Sequence, residues 1–120
     1  MDVATLMFIA YRQMNDRVIR AMREAGYDVT VAQARIAQRV ADEGSRLTDL
    51  AEQAQVTKQT ASLLVTALER EGLVERVPDP ADGRASLIRF TRKGRAASRR
   101  AREEVMGVEQ EWNDHLGPEL

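Results

Sequence analysis

A chain of 120 residues has the length of one domain and none to spare for a second independent core. With 43% hydrophobic and 31% charged residues it is too apolar to stay disordered, and its five aromatics (Phe8, Tyr11, Tyr27, Phe90, Trp112) leave the core to Leu, Val, Met and Ala, which favours packed helices. Cys is absent and His115 stands alone, which excludes disulfides, thiol chemistry and a Cys/His metal cluster, so neither metal nor cofactor is expected. No apolar run approaches the ~20 residues that span a bilayer. The first residues also lack the basic, apolar and small-residue succession of a secretory leader, so a cytoplasmic protein with no membrane partner is expected.

The net charge of −1 conceals an asymmetry. Residues 55–100 hold ten Lys and Arg against five Asp and Glu, leaving the remainder with eight against fourteen. A basic segment in an acidic protein suits either local contact with a polyanion or a solvated charged surface, because phosphate affinity depends on the face presented and not on total charge.

Residues 3–25 contain neither Gly nor Pro and place Met7, Tyr11, Met14, Val18, Met22 and Ala25 three or four apart, which predicts one face of a long helix closed by Gly26. Thr30 with Gln33 fits a capping box, and Ala34, Ala37, Val40 and Ala41 predict a second helix to about Asp42, before Gly44. A short helix from about Leu47 to Ala54 turns Leu50, Ala51 and Ala54 inward. After a turn at Gln55 and Val56, Thr57 caps a helix that ends at Gly72. Beyond it, 73–77 and 86–91 alternate in polarity around the turn formers Pro78, Asp79, Pro80, Asp82 and Gly83, which predicts a two-stranded hairpin. Thr91 then caps a long last helix with Ala97, Ala101, Val105, Val108, Trp112 and Leu116 on one face, broken by Gly117 and Pro118.

Two short helices joined by a tight turn and followed at once by a hairpin describe a mainly α fold with a small β-hairpin wing, a winged helix-turn-helix. In that arrangement the second helix enters the major groove and the hairpin reaches the neighbouring backbone or minor groove. Ala61, Leu64, Val65 and Leu68 form the inner face of the helix that Thr57 caps, while Lys58, Gln59, Ser62 and Thr66 form its outer face. Short polar side chains with one lysine suit phosphates and base edges, whereas a merely solvated helix carries more Glu and Lys. The two terminal stripes exceed what the central part can cover, so both long helices are expected to form a two-fold homodimer with recognition helices about one DNA turn (~34 Å) apart.

The chain resembles the MarR family (multiple antibiotic resistance regulators) over roughly residues 5–115. The resemblance rests on 69–76 (EREGLVER), 79–85 (DPADGRA) and 91–94 (TRKG), following Leu50-Ala51-Glu52 and 56–60 (VTKQT); Thr30 to Arg35 is similar to the start of that family's second helix. It implies a single domain, with 30–91 as the DNA-binding part and the helices of 1–29 and 92–120 for dimerisation. It also implies a sequence-specific, double-stranded-DNA-binding regulator, most often a repressor that a small, frequently aromatic, organic effector releases from its operator.

Carried over by position, Thr57, Lys58, Gln59, Thr60 and Ser62 match the major-groove helix, and Arg84 matches the arginine that reaches the minor groove. An ion pair of Arg84 with Asp82 or Asp79 inside the wing is the alternative. Effector contact is implied for the first, second and penultimate helices, where Met7, Tyr11, Met14 and Tyr27, with Trp112, are candidate lining; the same residues fit core or dimer contacts. Three departures stand out: Leu63 replaces an arginine of many relatives, Gln55 a frequent turn glycine, and the sequence ends where relatives continue into another helix. No Ser/His/Asp set, phosphate loop or paired carboxylates suggests an enzyme. The competing reading is a winged-helix interaction module or antirepressor that has lost DNA binding.

Overall fold

A computed structural model describes residues 2–116, the side chain of Leu116 excepted. Five helices and one antiparallel hairpin follow in the order α1 (Val3–Glu24), α2 (Val31–Ala37), α3 (Leu47–Ala54), α4 (Lys58–Arg70), β1 (Val74–Asp79), β2 (Asp82–Phe90) and α5 (Arg92–Leu116). The architecture is mainly helical, as the sequence predicts. Gly117 and Pro118, the predicted stop of the last helix, lie outside the described residues.

Capping explains most boundaries. Asp2 accepts the Thr5 amide at 2.8 Å to start α1, and Thr30 and Gln33 exchange side chain and backbone in a capping box at α2. Helices α1, α3 and α4 each end in paired backbone bonds that wrap the last turn around a left-handed residue: Tyr27 N–H to Met22 O, Val56 N–H to Ala51 O and Leu73 N–H to Leu68 O. The left-handed residues are Gly26, Gln55 and Gly72. Gln55, at φ 58° and ψ 44°, carries a Cβ where the other two have none, a strain of about 1 kcal/mol.

Helix α2 ends five residues earlier than its apolar spacing predicts. Bonds from Arg39 N–H to Ile36 O and from Val40 N–H to Ala37 O tighten the chain, and Gly44 turns it at φ +105°. The reason lies outside the segment: Ser45 forms an isolated antiparallel bridge to Ile88, with both N–H···O bonds at 2.8 Å, so the chain must leave the helix in time to reach β2. Gly44 rests against the Leu87 side chain at that crossing.

The core is shared among all the helices and the base of the hairpin. Val18, Ile19, Met22, Val29, Ile36, Leu50, Ala61, Val65, Leu68, Leu73, Ile88, Phe90 and Ala97 belong to one buried cluster. In β2 Ile88 points inward and is fully buried. The hairpin is longer than predicted and runs to Asp79 and Asp82, with a register break after Pro78, which pairs with Ser86. The radius of gyration, 16.1 Å, exceeds the ~13.6 Å of a compact chain of this length, because α1 and α5 project past the core. There Arg17 of α1 joins Glu104 and Glu111 of α5, while Val3, Leu6, Met7, Phe8, Ile9 and Met106 stand exposed. No described helix is long and apolar enough to cross a membrane.

Candidate nucleic-acid interface

Helix α4 is held from behind and open in front. Ala61, Val65 and Leu68 are fully buried against α2 and α3, Leu64 is half-buried, and Lys58, Gln59 and Leu63 face outward. At its start Thr57 accepts the Thr60 amide at 3.0 Å and donates its hydroxyl to Thr60 Oγ1 at 2.9 Å, so these two threonines fix the first turn. The amides of Lys58 and Gln59 then belong to the uncapped N-terminal set, whose partial positive charge adds to the Lys58 ammonium. Ser62 and Thr66 are half-buried on the side toward the wing. Thr66 donates to Ser62 O at 2.9 Å and accepts from Arg76 at 3.3 Å, so its hydroxyl is engaged within the protein.

The wing is braced by a contact that the sequence does not announce. Asp79 is 8% exposed, and its Oδ2 accepts from Arg46 Nε at 3.0 Å and Nη2 at 2.6 Å, while Oδ1 accepts the Ala81 amide at 2.9 Å. The Ala81 amide first, and the Arg46 guanidinium second, hold the Asp79 carboxyl below the ordinary carboxylate range. Arg46 directly precedes α3, so this pair ties the hairpin to the helix-turn-helix. Asp82 accepts the backbone amide of Arg84 at 3.1 Å. The alternative of a side-chain ion pair for Arg84 is therefore not what is seen: Asp79 is taken by Arg46, and the exposed Arg84 guanidinium has no partner among the described residues.

The cations of the basic segment sort by partner. Arg76 pairs with Glu69, Arg89 with its cross-strand neighbour Glu75, and Arg100 with Glu104. Lys93 and Arg95 donate to the carbonyls of Glu71 and Phe90. Lys58 and Arg70, exposed on α4, and Arg84, in the wing, have no ion-pair partner among the described residues and keep unneutralised charge on the two elements that project from the core.

A second feature lies between the terminal helices and this lobe. Tyr11, Met14, Asn15, Gln38, Arg102 and Met106 line an open cleft of about 460 Å³ between α1, α2 and α5. Arg35 donates to the Tyr11 hydroxyl at 3.3 Å. The Asn15 side chain, and after it Arg35, hold the Tyr11 phenol below its ordinary value. Of the candidate lining residues, Tyr11 and Met14 sit in this cleft. Met7 is exposed one turn further out, Tyr27 packs at the edge of the core, and Trp112 is half-buried further along α5. The sequence reading missed Asn15, Arg35 and Gln38 because isolated polar residues on helices give no periodic signal.

A helix-turn-helix whose second helix faces outward beside a braced hairpin defines a winged helix-turn-helix protein. The chain matches the MarR family over residues 27–85. It is 30% identical over 78 residues to the HTH-type transcriptional regulator BilQ of Clostridioides difficile, covering 62% of this chain and 47% of that protein, so it spans about half the length of this curated relative. A transcriptional regulator of Thermotoga maritima is 30% identical, with a TM-score of 0.70 over 97% of this chain and 80% of that one. A mutant of MepR from S. aureus bound to an oligodeoxyribonucleotide has the same fold, with a TM-score of 0.72 at 23% identity over 99% and 87% of the two chains. The chain belongs to the MarR family of transcription regulators.

Proposed function

We propose that this chain is a sequence-specific, double-stranded-DNA-binding repressor that acts as a two-fold homodimer in the cytoplasm and catalyses no reaction. The observation that carries this reading is the pairing of an outward α4 with an unpartnered Arg84 on a braced wing. Thr57, Lys58, Gln59, Thr60, Ser62 and Thr66 present the groove-facing helix. Thr57 and Thr60 fix its entry, Gln59 and Ser62 face base edges, Lys58 and Arg84 meet phosphate and the minor groove, and Thr66 holds the helix against the wing. Residues 30–91 form the DNA-binding part, and the helices of 1–29 and 92–120 dimerise. Exposed Val3, Leu6, Met7 and Phe8 on α1, with Met106 on α5, support a dimer, since an apolar surface of that extent on a projecting element is normally covered.

The cleft beside Tyr11 and Met14 supports release by a small organic, aromatic effector, with Met7 and Tyr27 entering only through movement of α1. Such a ligand lowers DNA affinity only by favouring a different spacing of the recognition helices, and operator DNA must then weaken the ligand by the same factor. The test is fluorescence anisotropy with the intergenic DNA beside its own gene, at several salt concentrations and with a panel of aromatic acids such as salicylate. Sequence-dependent binding that weakens steeply with salt and with one of the acids is expected. Binding indistinguishable from random duplex overturns the reading in favour of an interaction module.

A further inference from the structure

Helix α4 carries one large apolar side chain on its outer face. Leu63 is 73% exposed, the highest value among the large hydrophobic residues described. At 3.6 residues per turn it points about 165° away from the mean direction of the buried Ala61, Val65 and Leu68. It therefore lies near the middle of the outward face, with Gln59, Thr66 and Ser62 about 40–100° round the helix to one side and Ala67 and Thr60 about 40–60° to the other. Single exposed leucines are ordinary on protein surfaces; this one stands where the helix would press most deeply into a groove.

We infer that Leu63 reads the C5 methyl group of a thymine in each half-site, which makes it a specificity-determining residue. This rests on the DNA-binding reading above. The chemistry leaves few alternatives for a side chain with neither donor nor acceptor. The major-groove edges of guanine, cytosine and adenine present polar atoms and at most a flat ring C–H, and the thymine methyl is the one projecting apolar group on that floor. Leucine set against G·C would strip water from polar edges without replacing their hydrogen bonds, whereas set against the methyl it buries apolar surface on both sides. An arginine in its place would seek guanine or phosphate, so the substitution changes which base is preferred. Removing Leu63 leaves no cavity, and alanine is as good a helix former, so a variant here alters the surface without endangering the fold.

The experiment begins with selection of duplexes from a random library by the wild-type chain. Thymine is then replaced by uracil in the enriched sequence, one symmetry-related pair at a time, which removes one methyl from each half-site and nothing else. At one pair we expect wild-type affinity to fall about fourfold per methyl, hence roughly fifteenfold for both half-sites. Leu63→Ala should bind the thymine duplex with a comparable loss and show no further loss with uracil. The inference is overturned if every uracil duplex binds wild type within twofold of the thymine duplex, or if Leu63→Ala remains as sensitive to uracil as wild type. Failure to enrich any sequence refutes the DNA-binding reading itself, a distinct outcome.

Discussion

Gly94 lies in the first turn of α5, where the last helix leaves the DNA-binding lobe. A Cβ placed there would sit 1.8 Å from the Leu73 carbonyl oxygen, 2.8 Å from its carbon and 3.0 Å from Phe90. To reach ordinary contact, α5 and the start of the wing would have to part by more than 1 Å. Neither side gives easily. The Leu73 carbonyl accepts the Thr91 amide at 3.1 Å, the Leu73 amide is bonded to Leu68 O at 3.0 Å, and Thr91 Oγ1 both donates to Gly72 O and accepts the Gly94 amide. Overpacking costs about 1–3 kcal/mol, and weakening one or two of these bonds adds about 1 kcal/mol each. The better helix propensity of alanine returns about 1 kcal/mol, which leaves Gly94→Ala destabilised by about 2–3 kcal/mol. For a chain of this size that is a fall in Tm of about 10 °C. Gly107, also within α5, meets nothing within 4 Å and serves as the reference; Gly107→Ala should hold or raise Tm in the isolated chain. Thermal unfolding followed by circular dichroism makes the comparison. A Gly94→Ala protein that melts at or above the wild-type temperature would refute the docking of α5 against the Leu73 backbone.

Gln55→Gly relieves the left-handed strain at the end of α3 but loosens the unfolded chain, so urea denaturation should show a net gain of about 0.5 kcal/mol, and a clear loss would mean that the Gln55 side chain holds the turn. Asp79 has a lowered folded pKa, so its stabilising share is present above the unfolded value near 3.8 and is lost as pH falls through the folded value. Asp79→Asn should therefore flatten the acid limb of a urea-midpoint profile between about pH 5 and 2, and an unchanged limb contradicts the brace. Lys58→Ala should weaken all duplexes alike and flatten the salt dependence by about one unit per half-site, while Gln59→Ala should shift base preference at one position by about 1–3 kcal/mol; identical uniform losses would refute that division of roles.

What was legible in the sequence was local. The turn at Gln55 and Val56, the capping threonines Thr30 and Thr57, the termination at Gly26 and Gly72, and the whole of α3 follow from interactions within five residues of chain, which spacing and residue type report directly; that Gln55 itself turns left-handed is not marked by its residue type. What escaped was long-range. The early end of α2 depends on a bridge between Ser45 and Ile88, and the bracing of the wing on a pair between Arg46 and Asp79; neither partner carries a local mark. Ile36 is fully buried although the apolar spacing of α2 favours Ala34 and Ala37, because a helix of seven residues is covered from several directions and has no single inner stripe. The outer face of α4 was legible from its inner one, since fixing Ala61, Val65 and Leu68 inward fixes the rest by periodicity. Whether Arg84 was free or paired was not, because Asp82 and Asp79 both lie within five residues of it and spacing alone does not say what else they bind.

The central claim is that two copies of this chain place their α4 helices in successive major grooves of one duplex. Hydroxyl-radical footprinting of the enriched duplex, at protein concentrations where the chain is dimeric, tests it most directly. Two equivalent protected blocks related by the duplex two-fold, with centres about 10 base pairs or ~34 Å apart, are predicted, with each block lost in Arg84→Ala on the minor-groove side alone. A single block, or uniform protection along the duplex, would contradict the claim.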